Sequence, residues 1–539
     1  MYKLKLCLRY LGTRWIALAS IVSVCLGVAT LIVVNAVMSG FSGHVKERVH
    51  GILADVMVES ISSDGVEDPE RLMALIEEAA GEHIAAMTPT VEIYGMMSFD
   101  LQGQSIPRPV TLVGILPDGK DLVSPIRQFL MSRTPPSEEA IVEQLGTFPD
   151  DAGLDWSLTP EALRFRETII RWQQEYVAHA YEEPAAEPVQ TAEVDNPFGT
   201  SSVADAGADS LVPENPFYDE TASAEPDYSP AAARVYVGAG LISQPVPDGE
   251  GGSMTKLFLA PGQDVTLSTV KAGVPEPVRF RATVCDLFKS GYGEYDSSLV
   301  FCNLEELQAA RGMLAVPPGE APDWRQGAVT ALQIRLKDYG DAPQVVEKIK
   351  RMLYEQPLVK GADPETSRRL YSALSVSTWE HKQAALLSAV AVETSILNVL
   401  LALIICVAGF GILAIFFMIV MEKTRDIGIL KSLGASSGGV MSVFVGYGLA
   451  LGLVGAGGGV VIGLLFVAYI NQIEDGISYL AGTKVFDETI YYFSEIPTEV
   501  SPLTVTVVAI GAVTVAVLAS LLPAMRAARL HPVRALRWE

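Results

Sequence analysis

The sequence predicts a membrane protein with four transmembrane α-helices and a large α+β extracytoplasmic domain between the first and second spans. Three observations predict it. The chain has 539 residues, a mean hydropathy of +0.30 and only 19% charged residues, and its apolar excess is gathered into four long runs. Lys and Arg cluster beside these runs on one consistent side. Between the first two runs, short apolar strands alternate with helical patterns. A formal net charge of -24 excludes a nucleic-acid partner held by phosphate neutralisation. Five cysteines without a CxxC pair exclude a disulfide-dense scaffold.

A bilayer core takes about 20 mostly apolar helical residues. Residues 15–38 supply the first span, Ile396 to Met421 the second, residues 440–470 the glycine-rich third and residues 503–525 the fourth. Lys3, Lys5, Arg9 and Arg14 precede the first, as they would a signal peptide. Its run is too long for an h-region and no small-residue cleavage pattern precedes Ser39, so it reads as an uncleaved anchor. Lys423, Arg425 and Lys431 lie between the second and third spans, and Arg526, Arg529, Arg534 and Arg537 follow the fourth. The positive-inside rule then puts residues 1–14, 422–438 and 526–539 in the cytoplasm, and 39–392 and 471–501 outside.

In the outer segment, Val110 to Ile115, Val235 to Val237, Asp264 to Thr269, Arg279 to Leu287 and Leu332 to Leu336 read as strands. Pro69 to Ala80 and Ala342 to Tyr354 have helical period, the second with Asp341 as its N-cap. Residues 135–233 read as an inserted module. Its first half holds a helix from Pro160 to His179, capped by Thr159. Its second half, 182–233, has about a dozen acids and no Lys or Arg, a composition too polar to fold alone. Two Asn-Pro-Phe triplets there, 196–198 and 215–217, read as apolar punctuation rather than docking motifs. From Thr378 the helical pattern runs without a breaker to Met421. Such a helix, a stalk continuing into the second span, would be about 65 Å long.

No catalytic constellation emerges. The six histidines lack metal-ligand spacing, and no G-x-S-x-G elbow occurs. Gly114 to Asp121 nearly fits a phosphate loop, but Asp121 stands where a Ser or Thr hydroxyl would ligate magnesium and Pro117 interrupts it. The chain therefore binds no cofactor of its own; ATP and magnesium, if used, sit on another chain. Cys285 and Cys302 flank a hairpin-like stretch around Gly291 to Asp296, which leaves open a disulfide or, the commoner outcome, two buried free thiols. Asn35 and Asn398 read as interhelical hydrogen-bonders, and the third span's glycines as close-packing positions.

Glu422 to Ala435 is short, amphipathic and helical in pattern. Ile427, Ile429, Leu430 and Leu433 are apolar, Glu422, Lys423, Arg425, Asp426 and Lys431 are charged, Gly428 lies between them, and Gly434 stands where a helix would stop. It reads either as a solvated connector on the membrane surface or as a docking element. The segment resembles the coupling helix of ABC-transporter permeases of the FtsX/MacB superfamily. Ala36 to Phe41, Val113 to Pro117, Phe288 to Asp296, Phe486 to Pro497 and Pro523 to Glu539 further resemble the LolC/LolE lipoprotein-releasing branch.

The resemblance implies a non-catalytic permease subunit in the bacterial inner membrane. It implies a cytoplasmic ABC ATPase dimer docked on residues 422–434, and a second permease completing a homodimer or heterodimer. It also implies a lipoprotein substrate whose acyl chains enter between the first and second spans, near Val34, Val37, Met38, Phe41, Ile396 and Leu400, and a periplasmic carrier that receives it. Two departures stand out: the hairpin at 270–278 is short where a carrier-recruiting hook would extend, and the insertion 135–233 is foreign to the pattern. Force transmission to an efflux system or a cell-wall hydrolase without lipid cargo is the alternative within the superfamily. A membrane-anchored receptor is the alternative outside it.

Overall fold

The computed structural model describes residues 15–101, 104–133, 146–149, 153–181, 228–247, 253–317, 319, 321–355, 373–481 and 495–531. Readings placed on residues 1–14, on 182–227 with the Asn-Pro-Phe triplets, and on 532–539 lie outside them. Along the chain, α1 (Trp15–Ile52) leads to β1 (Val56–Ser60), α2 (Pro69–Ala80), β2 (Ile84–Leu101), β3 (Gln104–Ile115) and α3 (Pro117–Val123). Next come α4 (Pro160–Tyr181), β4 (Ala233–Gly238), β5 (Ser243–Pro247), β6 (Ser253–Leu257), β7 (Asp264–Val270), β8 (Pro277–Phe288), β9 (Leu299–Asn303) and α5 (Leu304–Ala310). Then β10 (Ala331–Leu336), α6 (Ala342–Glu355) and β11 (Leu374–Thr378) complete an inter-span domain. The chain ends with α7 (Ala384–Glu422), α8 (Thr424–Ser432), α9 (Ser437–Ala468), α10 (Ile470–Ala481) and α11 (Pro502–Ala528).

Among the described residues, α1, α7, α9 and α11 are long and apolar enough to cross a bilayer. They form a four-helix bundle with α9 against α1 and α11, and α7 against the same two helices from the other side. Glycine sets the spacing. A Cβ on Gly455, Gly459 or Gly463 would meet Val24, Cys25, Val28 or Ala29 of α1 within 3.2 Å, and one on Gly448 or Gly452 would meet Ser520 or Ala516 of α11 within 3.0 Å. Gly446 and Gly457 face open space instead. Phe416 and Tyr447 meet edge-on across the centre, with ring centroids 5.3 Å apart. Asn35, expected to bond another helix, donates to the Leu31 carbonyl of its own, and Asn398 lies exposed on α7.

With 38 and 39 residues, α1 and α7 are each nearly 60 Å long, about twice a bilayer core. The expected unbroken stalk from Thr378 has one dent. The Thr378 hydroxyl accepts from the His381 amide and starts a single turn, Trp379–Lys382; Gln383 then leaves helical geometry at φ -99°, ψ 19° before α7 begins. The stretch 471–501, expected to be loop, opens with α10.

The inter-span domain holds a nine-stranded sheet in the order β11-β1-β10-β2-β3-β9-β4-β8-β7, in which β2 also pairs with β7, and a separate two-stranded sheet of β5 and β6. That extra pairing closes β2, β3, β9, β4, β8 and β7 into a barrel, while β11, β1, β10 and the first half of β2 remain an open sheet. The open sheet packs on α2 and α6 through Leu72, Ile76, Leu332, Ile334, Val345 and Ile349. The barrel is filled by Met97, Phe99, Leu112, Val235, Leu267 and Val284. Asp68 caps α2, accepting from the Arg71 amide. Asp341 does not serve as the cap expected for α6: its carboxylate reaches His83 at 2.9 Å, and a short 3₁₀ turn, Tyr339–Asp341, leads into the helix.

The described part of the insertion is built into the barrel's outer wall. Leu154, Leu158 and Ala162 pack against Tyr236, Cys285, Phe288 and Phe301. Buried Arg166 of α4 donates to the carbonyls of Tyr228, Ser229 and Gly262 and pairs with Asp264 at 2.6 Å. The same wall excludes the Cys285–Cys302 disulfide. Cys302 and Cys285 lie on β9 and β8, but β4 runs between those strands, and both thiols are free. Two strand spacings, about 10 Å, exceed what a disulfide spans. Burial pushes the Cys285 thiol up to about 12 and raises that of Cys302 further.

Candidate functional site

α8 closes one end of the bundle. Lys423 (φ -93°, ψ 8°) forms the joint between α7 and α8, so Glu422, expected in the short helix, is instead the last residue of α7. The Lys423 ammonium pairs with Asp426 one turn on, at 2.8 Å. Thr424, Ile427 and Gly428 are buried, Ile427 against Val420, Val440 and Ala527. Lys431 also turns inward: its ammonium donates to the carbonyls of Ala528 and Leu530 at 2.7 and 2.8 Å, capping α11. Gly434, at φ 96°, ends the segment in the left-handed conformation that glycine adopts without strain. Arg425, Asp426, Ile429, Leu430 and Leu433 remain exposed. Of the ten residues expected to couple, Ile427, Gly428 and Lys431 hold the helix to the bundle, while Arg425, Asp426, Leu430 and Leu433, joined by Ile429, present an apolar face with a charged rim.

The opposite ends of α1 and α7 meet at the base of the inter-span domain. Fully buried Lys120 of α3 donates to the Ile52 carbonyl, the last of α1, at 2.9 Å and to Gln333 of β10 at 2.7 Å. The Gln333 amide donates to Glu92 at 3.1 Å, Glu92 pairs with Lys382, and Lys382 pairs with Glu59 of β1. Ser124 adds bonds to the carbonyls of Gly51 and Ile52. Burial lowers the Lys120 pKa to about 8, although Glu92 pulls it up. Burial also works against charge on Lys382, but Glu92 and Glu59 outweigh it and hold that pKa above the ordinary lysine value.

Apolar contacts seal the joint. Val45 and Val49 of α1 pack with Met57, Val123 and Trp379, and the His50 ring stacks on Trp379 with centroids 5.1 Å apart. His50 is hydrogen-bonded to buried Asp55, which also accepts from the Leu336 amide at 2.7 Å. Residues 288–296 supply a third attachment. Buried Asp296 accepts from Ser290 and from the Gly291 amide; Arg48 of α1 donates to the Gly291 carbonyl at 2.8 Å; Gln383 donates to the Tyr295 hydroxyl at 2.7 Å. Sequence reasoning noted this stretch and the loop of Lys120 without foreseeing that both grip the helix ends. A lysine between Pro117 and Ser124 just after an apolar strand was the available signal.

The residues expected to line a lipid cavity are only partly brought together. A Cβ on Gly27 of α1 would lie 4.0 Å from Ile405 of α7, which fixes the level of these antiparallel helices. From there Val34, Val37 and Met38 are about 10 to 16 Å further along α1, and Leu400 and Ile396 about 8 to 14 Å along α7. They share a depth. Ile396 and Leu400 are exposed, and Ile396 lines a shallow groove of about 460 Å³ with Val392, Glu393 and Leu397. The α1 residues are half-buried, and Phe41 packs into the joint instead of the groove. Just above, Gly40 touches backbone: a Cβ there would lie 2.5 Å from the Pro497 carbonyl oxygen and 2.6 Å from the Thr498 Cα.

Comparison with known proteins bears on the bundle directly. Residues 398–532, from mid-α7 to the end of α11, match the FtsX-like permease C-terminal family. The chain carries an FtsX-like permease domain. The permease is 30% identical over 274 residues to the lipoprotein-releasing system transmembrane protein LolC of Xylella fastidiosa, covering 51% of this chain and 59% of that protein. It is 30% identical over 163 residues to LolE of Haemophilus influenzae, 30% of this chain and 39% of the relative. It is 23% identical over 211 residues to the macrolide export ATP-binding/permease protein MacB of Bdellovibrio bacteriovorus, 39% of this chain and 28% of the relative. The chain is thus similar to permeases of the FtsX/MacB kind and, over about half its length, to LolC, and four of its described helices are long and apolar enough to cross a membrane. The chain spans less than two thirds of the length of the curated relatives it matches.

Proposed function

We propose that the permease is a transmembrane subunit of an inner-membrane ABC transporter that couples cytoplasmic ATP hydrolysis to extraction of lipoproteins. Its inter-span domain faces the periplasm and both termini the cytoplasm. An ABC ATPase dimer, carrying ATP and magnesium, docks on the exposed face of α8, and a second permease completes the cavity beside Ile396 and Leu400. The observation that carries the reading is mechanical. α7 runs from the joint at Lys423 to the polar clamp at Lys382 and Gln383, and α1 ends in the same clamp. Long helices fixed at both ends move as bodies, so a push on α8 reaches the inter-span domain. A motor is needed because exposing acyl chains to water costs about 0.8 kcal/mol per methylene.

Depletion of the permease tests the assignment: outer-membrane lipoproteins should accumulate in the inner membrane, and normal sorting would refute it. The docking face has its own test. Leu430→Asp combined with Leu433→Asp should abolish co-purification of the cognate ATPase, since charging two exposed anchors costs about 2 to 4 kcal/mol of binding. Thermal stability should be unchanged because both side chains are exposed.

A second reading, force transmission without lipid cargo, is favoured by the β7–β8 turn. It closes tightly, with the Lys271 amide on the Glu276 carbonyl and their side chains paired at 2.8 Å. Photocrosslinking from position 400 to an acylated protein separates the two readings.

A further inference from the structure

α10 lies where a loop was expected, and its surface is two-faced. Ile473, Ile477 and Leu480 form a stripe at helical spacing, with Leu480 86% exposed, while Gln472 and Asp475 occupy another face. The stripe continues one already on α9. Ile462, Phe466, Tyr469, Ile473, Ile477 and Leu480 follow one another at steps of three or four residues, across the single joint residue Tyr469. The first three are exposed on a helix long and apolar enough to cross the bilayer, so that surface is the lipid-facing one.

The level of α10 is fixed by its ties. The Asn471 side chain accepts from the Ile496 amide at 3.0 Å, and the neighbouring Pro497 and Thr498 press on Gly40 of α1. Gly40 lies 25 residues beyond Trp15, about 38 Å along α1, where a bilayer core of about 30 Å has given way to headgroups. A helix rising straight from that level would carry Leu480 about 15 Å into water. A helix lying along the boundary would keep the stripe in lipid.

We propose that α10 is an in-plane anchor: it lies in the headgroup layer of the bilayer, with Ile473, Ile477 and Leu480 in the acyl boundary and Asp475 toward water. The partner is the lipid surface itself. The stripe joins a lipid-facing surface without interruption, and an amphipathic helix at a headgroup level buries its apolar side there. The anchor pins the α9–α11 connection at a fixed depth against which α1 moves. The inference rests on the four helices crossing a bilayer, and not on which side is the cytoplasm.

The test is collision accessibility of a nitroxide in the full-length permease, in bilayers of phosphatidylethanolamine and phosphatidylglycerol. The label is placed through Ile477→Cys, Leu480→Cys or Asp475→Cys in a chain whose Cys7, Cys25 and Cys406 are alanine. Oxygen should outcompete a water-soluble nickel chelate at 477 and 480, and the order should reverse at 475. Chelate dominance at 480 means that α10 projects into water. Shielding of 480 from both agents means that another polypeptide, such as a second copy, covers it. Either result overturns the proposal. Leu403→Cys on exposed α7 is the internal reference: chelate dominance there would overturn the bilayer placement itself, and the anchor with it.

Discussion

Gly459→Leu is expected to separate α1 from α9 and leave little folded permease, whereas Gly457→Leu two residues away should be at least as stable as the parent. The difference is geometric. A Cβ on Gly459 would sit 2.6 Å from the Cys25 carbonyl oxygen and 2.7 Å from the Val28 Cβ, while one on Gly457 meets nothing within 4 Å. The Cys25 oxygen is backbone and cannot swing away, so the helices must part along the contact that Gly455 and Gly463 also form. Overpacking a tight site costs about 1 to 3 kcal/mol for added methylenes, and here a whole side chain is added against a helix backbone. At 457 the same leucine faces outward and removes a helical glycine, worth about 1 kcal/mol in propensity. Yield of monodisperse protein and thermal midpoint, compared between the two variants, check this. Equal behaviour of the pair would contradict the packing account.

The second large effect is expected at Lys120. If the permease works as proposed above, Lys120→Met should leave the protein folded but idle: ATP hydrolysis by the complex persists while lipoprotein release falls by at least about tenfold, a loss equal to roughly one hydrogen bond to a charged group. The substitution removes the charged donor from the last carbonyl of α1, leaving it to the Ser124 hydroxyl, and strips the Gln333 oxygen of the lysine.

A pH profile reads the same residue independently of transport. The Lys120 pKa is about 8 in the folded chain against 10.5 ordinarily, so between these values the unfolded chain binds more protons and stability rises with pH. The cost of burying the ammonium is fully present below pH 8 and is relieved as pH climbs toward 10.5. At about 1.36 kcal/mol per unit the rise is of the order of 3 kcal/mol. Denaturant midpoints at pH 8 and 10 should therefore diverge in the parent and converge in Lys120→Met. An identical slope in both would show that the lysine is not the titrating group.

What the sequence made legible follows from where the controlling physics is local. The four spans stand out because a bilayer imposes a length and a polarity on contiguous residues. The start of α4 was readable because Thr159 stands directly before a proline at a helix start. The barrel was not readable. Its closure rests on β2 meeting β7 about 170 residues later, and on β4 entering between β8 and β9, pairings no local pattern encodes. That same strand insertion is why Cys285 and Cys302, which read as flanking a hairpin, are not neighbours.

At the bundle's end, amphipathicity located α8 but gave no sense of which charges face outward. Lys431 matches a docking cation in pattern, yet it spends its donors on the carbonyls that end α11. Lys120 was hidden for a related reason. A lysine beside Asp118 and Asp121 reads as solvated, and only the fold brings the end of α1 over it.

Strand β2 carries a consequence for how such chains can vary. Its first half, Ile84 to Thr90, is paired with β10 in the open sheet, and its second half, Val91 to Leu101, with β3 in the barrel wall. Deleting one residue near Thr90 would invert the in-and-out alternation of one half relative to the other, pointing either the Val91–Met97–Phe99 set or the open-sheet set at water. The strand is thus a length standard common to two hydrophobic interiors, and a change of chain length is better tolerated in the connections between strands than within it.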